Sequence, residues 1–260
     1  WPAALATLWA ALTAPVTPPA GPGGTPPLEI RARAVDISPG QLDGLLLRGT
    51  VSLSADHPEF GGFSGLLVER GHMIAVTDRG WWLLADLAEG ADGLVPEVFD
   101  KAGGDAEALT LRDGAIMVAF EQDHRIMRHL KDGDLGETIR DRRFEALGSN
   151  KGLEALATHP EGWILAFEER ARRGHHRAFL LRHSGAIETR AMPQSPPYYI
   201  TGADVGADGR LYLLLRDYGQ FTGVSIRIDR YDLSEDGWPV LATRQTLATY
   251  EGRSGIDNME

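Results

Sequence analysis

Acidic side chains recur along this chain at two fixed distances from a repeated turn glycine. Seven residues beyond Gly71, Gly114 and Gly162 stand Asp78, Glu121 and Glu169, and the same place after Gly209 holds Arg216. Seven residues before those glycines stand Ser64, Glu107, Ala155 and Gly202. A slip of one or two residues brings Glu154 and Asp204 to that point. Glu260 extends this first series. Carboxylates brought together repel, and burial raises their pKa, unless a cation offsets the charge. Convergence of the two series therefore predicts a bound cation, a clamp of arginines or a protonated acid. A donor set made of oxygen alone suits Ca2+ or Mg2+. The alternative is that these acids hydrogen-bond neighbouring repeats and do no chemistry.

Arginines accompany the acids. Arg79, Arg125, Arg170 and Arg216 stand beside them, and residues 170–177 (RARRGHHR) form the one strongly basic run. A guanidinium fork suits a phosphate oxyanion, although a solvated loop with salt bridges explains the run as well. His124, His175 and His176 are candidate acid–base groups. Gly62-Phe63-Ser64-Gly65-Leu66 falls short of a nucleophile elbow, because Leu66 stands where its last glycine belongs. Phosphate-loop, dinucleotide and HExxH motifs are absent.

These residues need elements to position them. Four stretches repeat one pattern: residues 63–80 (FSGLLVERGHMIAVTDRG), 106–122 (AEALTLRDGAIMVAFEQ), 153–170 (LEALATHPEGWILAFEER) and 203–217 (ADVGADGRLYLLLRD). Each reads as apolar strand, turn glycine, apolar strand and charged residue. The turn glycines lie 43, 48 and 47 residues apart. A repeat of that length built from short strands signals a propeller blade. Asp113-Gly114 and Asp208-Gly209 are the strongest hairpin turns. Residues 28–37 alternate as a half-buried strand does, with 45–53 as its partner. Residues 124–130, 177–182, 225–233 and 241–247 supply outer strands, and 141–147 one helical turn. The expected fold is all-β: a β-propeller of six blades, within a range of five to seven. It occupies residues 28–260.

The formal net charge is −11 and the pI about 5.2, which argues against nucleic acid as a partner. There is no cysteine, so neither a disulfide nor a thiolate metal site exists. Residues 1–14 (WPAALATLWAALTA) are apolar and too short to span a bilayer. A Pro/Gly-rich stretch follows to residue 27. Residues 1–27 thus read as a signal-peptide remnant and linker, which implies export to the periplasm or outside the cell.

Five blocks in order carry a family resemblance. They are FGGFSGL with TDRGWW (60–66, 77–82), DAEALTLRDG with AFEQDHRI (105–114, 119–126), NKGLEALA (150–157), GADVGADGRLYLLLRD (202–217) and IDNME (256–260). Together they resemble the bacterial phytase-like proteins, called "esterase-like activity of phytase". The resemblance implies a propeller, export and phosphoester hydrolysis of a small-molecule substrate. Propeller phytases hold phosphate at acid-lined Ca2+ sites on one face. By likeness of role, Glu107, Glu154, Glu260 and Asp78 would bind Ca2+. Glu107, Glu154, Glu121 and His124 would serve catalysis, and Arg79, Arg125 and Arg170 would hold substrate. Relatives continue past the last block into a closing hairpin, so the final blade is expected to be incomplete in this chain. The alternatives are a non-catalytic envelope propeller that binds a ligand or partner, and a lactonase-like hydrolase with one axial Ca2+.

Overall fold

The computed structural model describes residues 30–35, 41–46, 50–69, 71–87, 94–101, 104–129, 135–148, 152–219 and 223–251. Glu260 and the predicted leader and linker lie outside them. The described residues form four antiparallel blades, each a meander running outward from an inner strand. Blade one holds β4 (Phe63–Glu69), β5 (His72–Thr77), β6 (Trp81–Leu87) and β7 (Leu94–Lys101). Blade two holds β8 (Ala106–Arg112), β9 (Ala115–Phe120), β10 (Arg125–His129) and β11 (Leu135–Arg140). Blade three holds β12 (Leu153–Thr158), β13 (Ile164–Glu168), β14 (His175–Leu181) and β15 (Ile187–Pro193). Blade four holds β16 (Tyr199–Val205), β17 (Leu211–Gly219), β18 (Gly223–Tyr231) and β19 (Gln245–Glu251), with β2 (Gln41–Leu42) added outside β19. A separate ribbon pairs β1 (Ile30–Ala34) with β3 (Val51–Ala55). The chain is therefore all-β in a propeller arrangement, with four blades among the described residues.

The four glycines mark the β4–β5, β8–β9, β12–β13 and β16–β17 turns, as the repeat predicts. Gly114 has φ +71°, a left-handed backbone that a Cβ disfavours, which is why Asp-Gly closes that hairpin. The last outer strand begins later than expected. Residues 241–243 make a 3-10 turn instead, where Thr243 Oγ1 donates to the Val240 carbonyl and accepts from the Asp232 N–H. The predicted helical turn exists as α1 (Arg142–Glu145), capped by the Asp141 carboxylate on the Arg143 N–H.

Inner strands of successive blades pack side by side, β4 with β8, β8 with β12 and β12 with β16. Three apolar cores fill the spaces between blades. Val76, Leu109 and Val118 join blades one and two. Leu156, Ile164 and Phe179 join two and three, with Phe144 and Leu147 from the α1 turn. Phe167, Leu180, Leu213 and Leu215 join three and four. A middle strand is covered on both faces, so β13 is buried throughout and reads as an unbroken apolar run.

Candidate functional site

Every blade carries the same irregularity. The pairing of inner strand with second strand shifts register between Phe63 and Gly65, Ala106 and Ala108, Leu153 and Ala155, and Ile200 and Gly202. The bulged residues are thus Ser64, Glu107, Glu154 and Thr201, all buried. This settles the slip in the sequence pattern: Glu154 occupies the repeat position, but Thr201 does so in blade four, not Asp204. A bulge re-aims its side chain while the strand beyond keeps its face.

A second repeated contact gathers the other acids on the same face. The Asp78 N–H donates to the Gly62 carbonyl at 2.8 Å, and the Glu121 N–H to the Asp105 carbonyl at 2.9 Å. Glu169 repeats the contact to Gly152 at 3.5 Å. Each bond ties the loop leaving the second strand to the loop entering the first. The second acid series therefore lies on one face of the propeller, opposite the glycine hairpins.

On that face Asp105, Glu107 and Glu121 place carboxylate oxygens within 4.8 Å of one another. Gln122 Nε2 donates to Asp105 Oδ2 at 2.9 Å. Burial pushes the Glu121 carboxyl up, and the charges of Asp105 and Glu169 add to this; a Gly152 N–H and Arg170 oppose it. Burial also raises Asp78, with Asp105 and Glu59 adding and Arg79 opposing. The acids form a row along the rim, and three of them converge.

The expected residues divide accordingly. Glu107 and Glu121 meet; Asp78 stands beside them. Glu154 instead lines a chamber inside the channel with Thr201. His124 ends the turn that carries Glu121 and donates its N–H to the Glu121 carbonyl at 3.0 Å, with its ring buried. Arg79 is exposed and engaged by Glu59 and the Pro58 carbonyl. Arg125 is built into blade two: it lies over Phe120, donates to Met127 Sδ and pairs with Asp123. Arg140 and Arg125 together hold the Asp123 carboxyl down to about 2. Arg170 is free to reach outward, 3.9 Å from Glu169 and 61% exposed.

Most of the basic run is structural. Arg177 grips the fully buried Glu168 through both carboxylate oxygens, at 2.8 and 3.2 Å, and Arg172 joins at 3.3 Å. Both arginines also reach carbonyls of the α1 turn, Arg172 to Leu147 and Arg177 to Ala146. Arg170 instead opens a cavity of about 400 Å3 shared with Glu169, Tyr199, Arg216, Asp217 and Tyr218.

Sequence reasoning missed Asp105, Thr201 and the role of Arg216. Asp105 has an acid in one repeat only, so alignment on glycine hides it. Strand alternation gives no signal for it, because Asp105 stands in the loop before β8 and meets Glu121 through a hydrogen bond between loops.

The family model for phytase-like proteins, described as "esterase-like activity of phytase", matches residues 58–260. The chain belongs to the phytase-like family. No match was found among curated proteins. Among solved structures, this phytase-like chain is similar to virginiamycin B lyase from Staphylococcus aureus, with 12% identity, 84% of this chain and 74% of that chain covered, and a TM-score of 0.43. It is also similar to a chain of a nidogen/laminin complex, with 14% identity, 86% and 94% covered, and a TM-score of 0.46. The calcium-binding protein regucalcin from Agrobacterium tumefaciens follows at 16% identity, 78% and 63% covered, and a TM-score of 0.40. No helix of the described residues is long and apolar enough to cross a membrane.

Proposed function

We propose that this phytase-like propeller is an exported, divalent-cation-dependent hydrolase of small phosphoesters or related esters. The observation that carries the reading is the convergence of Asp105, Glu107 and Glu121 on the face away from the hairpin turns. Their chemistry fits a hard cation: the donors are all oxygen, and the Glu121 carboxyl is raised partly by Asp105 and Glu169, repulsion that a cation would relieve. Ca2+ is the ion we assign. When bound, it would polarise an ester oxygen and lower the pKa of water.

The chain's own groups supply the rest. Asp105, Glu107 and Glu121 hold the ion, and Asp78 adds negative charge beside them. Arg170 and Arg216 line the neighbouring cavity and orient an anionic group there through fork-like hydrogen bonds. In the absence of the ion, Glu121 holds a proton more readily than an ordinary glutamate, so binding of the ion there would release that proton. His124 sets the shape of the turn that presents Glu121. Export belongs to the same reading and is supported by the apolar segment at residues 1–14. So does a blade count above four: β4 and β16 flank the channel without the close contact that successive inner strands share.

The test is hydrolysis of a panel of phosphate and carboxylate esters by wild type, Glu107→Gln and Asp105→Asn, with Ca2+ and with chelator. Activity that needs Ca2+ and falls about a hundredfold in either variant supports the reading. Full activity in chelator removes the metal, and absence of turnover on every ester removes the hydrolase.

A further inference from the structure

Towards the upper face, the apolar core between blades three and four ends in a histidine. His176 stands on β14 and is 1% exposed. It shares a strand face with Ala178 and Leu180, which belong to that core, and it pairs with Met192 of β15, which belongs to it too. Tyr199, the first residue of β16, closes over it. The two rings meet edge to face, with centroids 6.3 Å apart. Tyr199 also lines the cavity of about 400 Å3 that Glu169 and Arg170 share.

The two ring nitrogens of His176 stand in unlike places. Nδ1 lies 3.0 Å from the Glu168 carbonyl oxygen. A carbonyl only accepts, so Nδ1 carries the hydrogen and Nε2 the lone pair. Nε2 is buried, and no protein group among the described residues bonds to it. Burial keeps the ring from taking a second proton; the Glu168 and Glu169 backbone and the Glu168 charge oppose this. The groups around the ring are poor partners for an imidazolium. The Glu168 carboxylate follows Phe167 and so lies on the other face of the sheet, where Arg172 and Arg177 hold it. In the loop, Glu169 lies 3.9 Å from Arg170. On its own strand, His175 faces away and its Nδ1 is 3.1 Å from the Arg173 carbonyl. Met192 from β15 and Tyr199 from β16 complete the surroundings.

We propose that His176 is a pH-sensitive latch, which holds the loop 169–174 and Tyr199 closed while neutral and releases both when Nε2 takes a proton. The closed latch ties the end of β13 to β14 through the Nδ1–H bond to Glu168. A protonated Nε2 needs an acceptor, and the closed site offers none, so the ring must reach water. The loop and Tyr199 are the cover that can move. In the open form the ring titrates near the ordinary histidine value of about 6.5. The closed form resists the proton, so its stability is full above that value and falls as pH drops below it. Each pH unit favours opening about tenfold, until the closed ring itself protonates. The latch does not rest on the hydrolase reading, because opening needs neither ion nor substrate. Where both hold, Arg170 loses its fixed place beside the cavity in acid.

Amide hydrogen exchange of the whole chain in chelator tests it, read from pH 7.5 to 5.5 and corrected for the intrinsic pH dependence of exchange. Protection of residues 169–174 is expected to fall about tenfold between pH 6.5 and 5.5, while the strands of blade two keep theirs. His176→Asn keeps an N–H for the Glu168 carbonyl and cannot titrate, so its loop should stay protected throughout. His175→Asn should open as the wild type does. Nitrogen NMR of the wild-type imidazole gives a reading that needs no variant: at pH 7.5 His176 should carry its hydrogen on Nδ1. Unchanged protection down to pH 5.5, an equal loss in His176→Asn, or a hydrogen on Nε2 at pH 7.5 would each overturn the proposal.

Discussion

Single residues on the upper face are set against one another, and Glu121 shows this most directly. Its folded pKa is raised, so between its ordinary value and that raised value the folded state holds a proton that the unfolded chain has lost. Stability therefore falls as pH rises through that window and stays lower above it. Glu121→Gln is expected to raise the melting temperature in chelator at neutral pH by about 2 °C. The same substitution should abolish any further rise on adding Ca2+. Calorimetry of the two proteins, with and without the ion, reads both effects; a drop in chelator would mean that Glu121 is held by favourable bonds. Gly62 makes a related demand. It has φ +60°, and a Cβ there would stand 2.6 Å from an Asp78 carboxylate oxygen. Gly62→Ala should cost about 1–3 kcal/mol in urea unfolding.

At the scale of elements, the loop after β13 is held by one buried charge. Glu168 is wholly buried on β13, and Arg177 and Arg172 reach it from the strand and loop that follow. Their remaining donors bind carbonyls at the end of the α1 turn. This knot fixes the path from residue 169 to 174 and so the place of Arg170. Removing one partner of such a pair strands the other. Glu168→Ala is expected to cost about 3 kcal/mol in urea unfolding. It should also loosen Arg170, raising KM for an anionic ester more than it lowers kcat. A change confined to kcat would show that the knot does not position that arginine.

At the scale of the molecule, stability resides between blades. Phe179 is fully buried in the core joining blades two and three and meets Phe144 edge to face at 5.2 Å. Phe179→Ala removes a ring that two blades and the α1 turn share. A loss of about 4 kcal/mol is expected, with a single unfolding transition retained. Two separated transitions would mean that the blades unfold independently. The channel is a consequence of the same packing: inner strands side by side leave their outward loops on one face and their hairpins on the other.

The blades were legible in the sequence because their signals are local. Gly71, Gly114, Gly162 and Gly209 mark hairpins whose backbone needs no distant partner, and apolar runs such as 164–168 mark strands covered on both sides. The family blocks were legible for the same reason. Glu107 and Glu121 could be named, yet their companion could not, since Asp105 joins them only through a hydrogen bond between two loops. Glu154 looked equivalent to Glu107 and holds the equivalent bulge, but it lines the channel instead. Arg125 pairs with Asp123 inside blade two, and within the basic run Arg172 and Arg177 make salt bridges of the kind the sequence also allowed. By itself, then, the sequence determined strands, turns and the repeat, which depend on neighbours along the chain. Tertiary structure alone decided which carboxylates converge and which arginines remain outward, because bulges and inter-strand contacts set those directions across residues far apart in sequence.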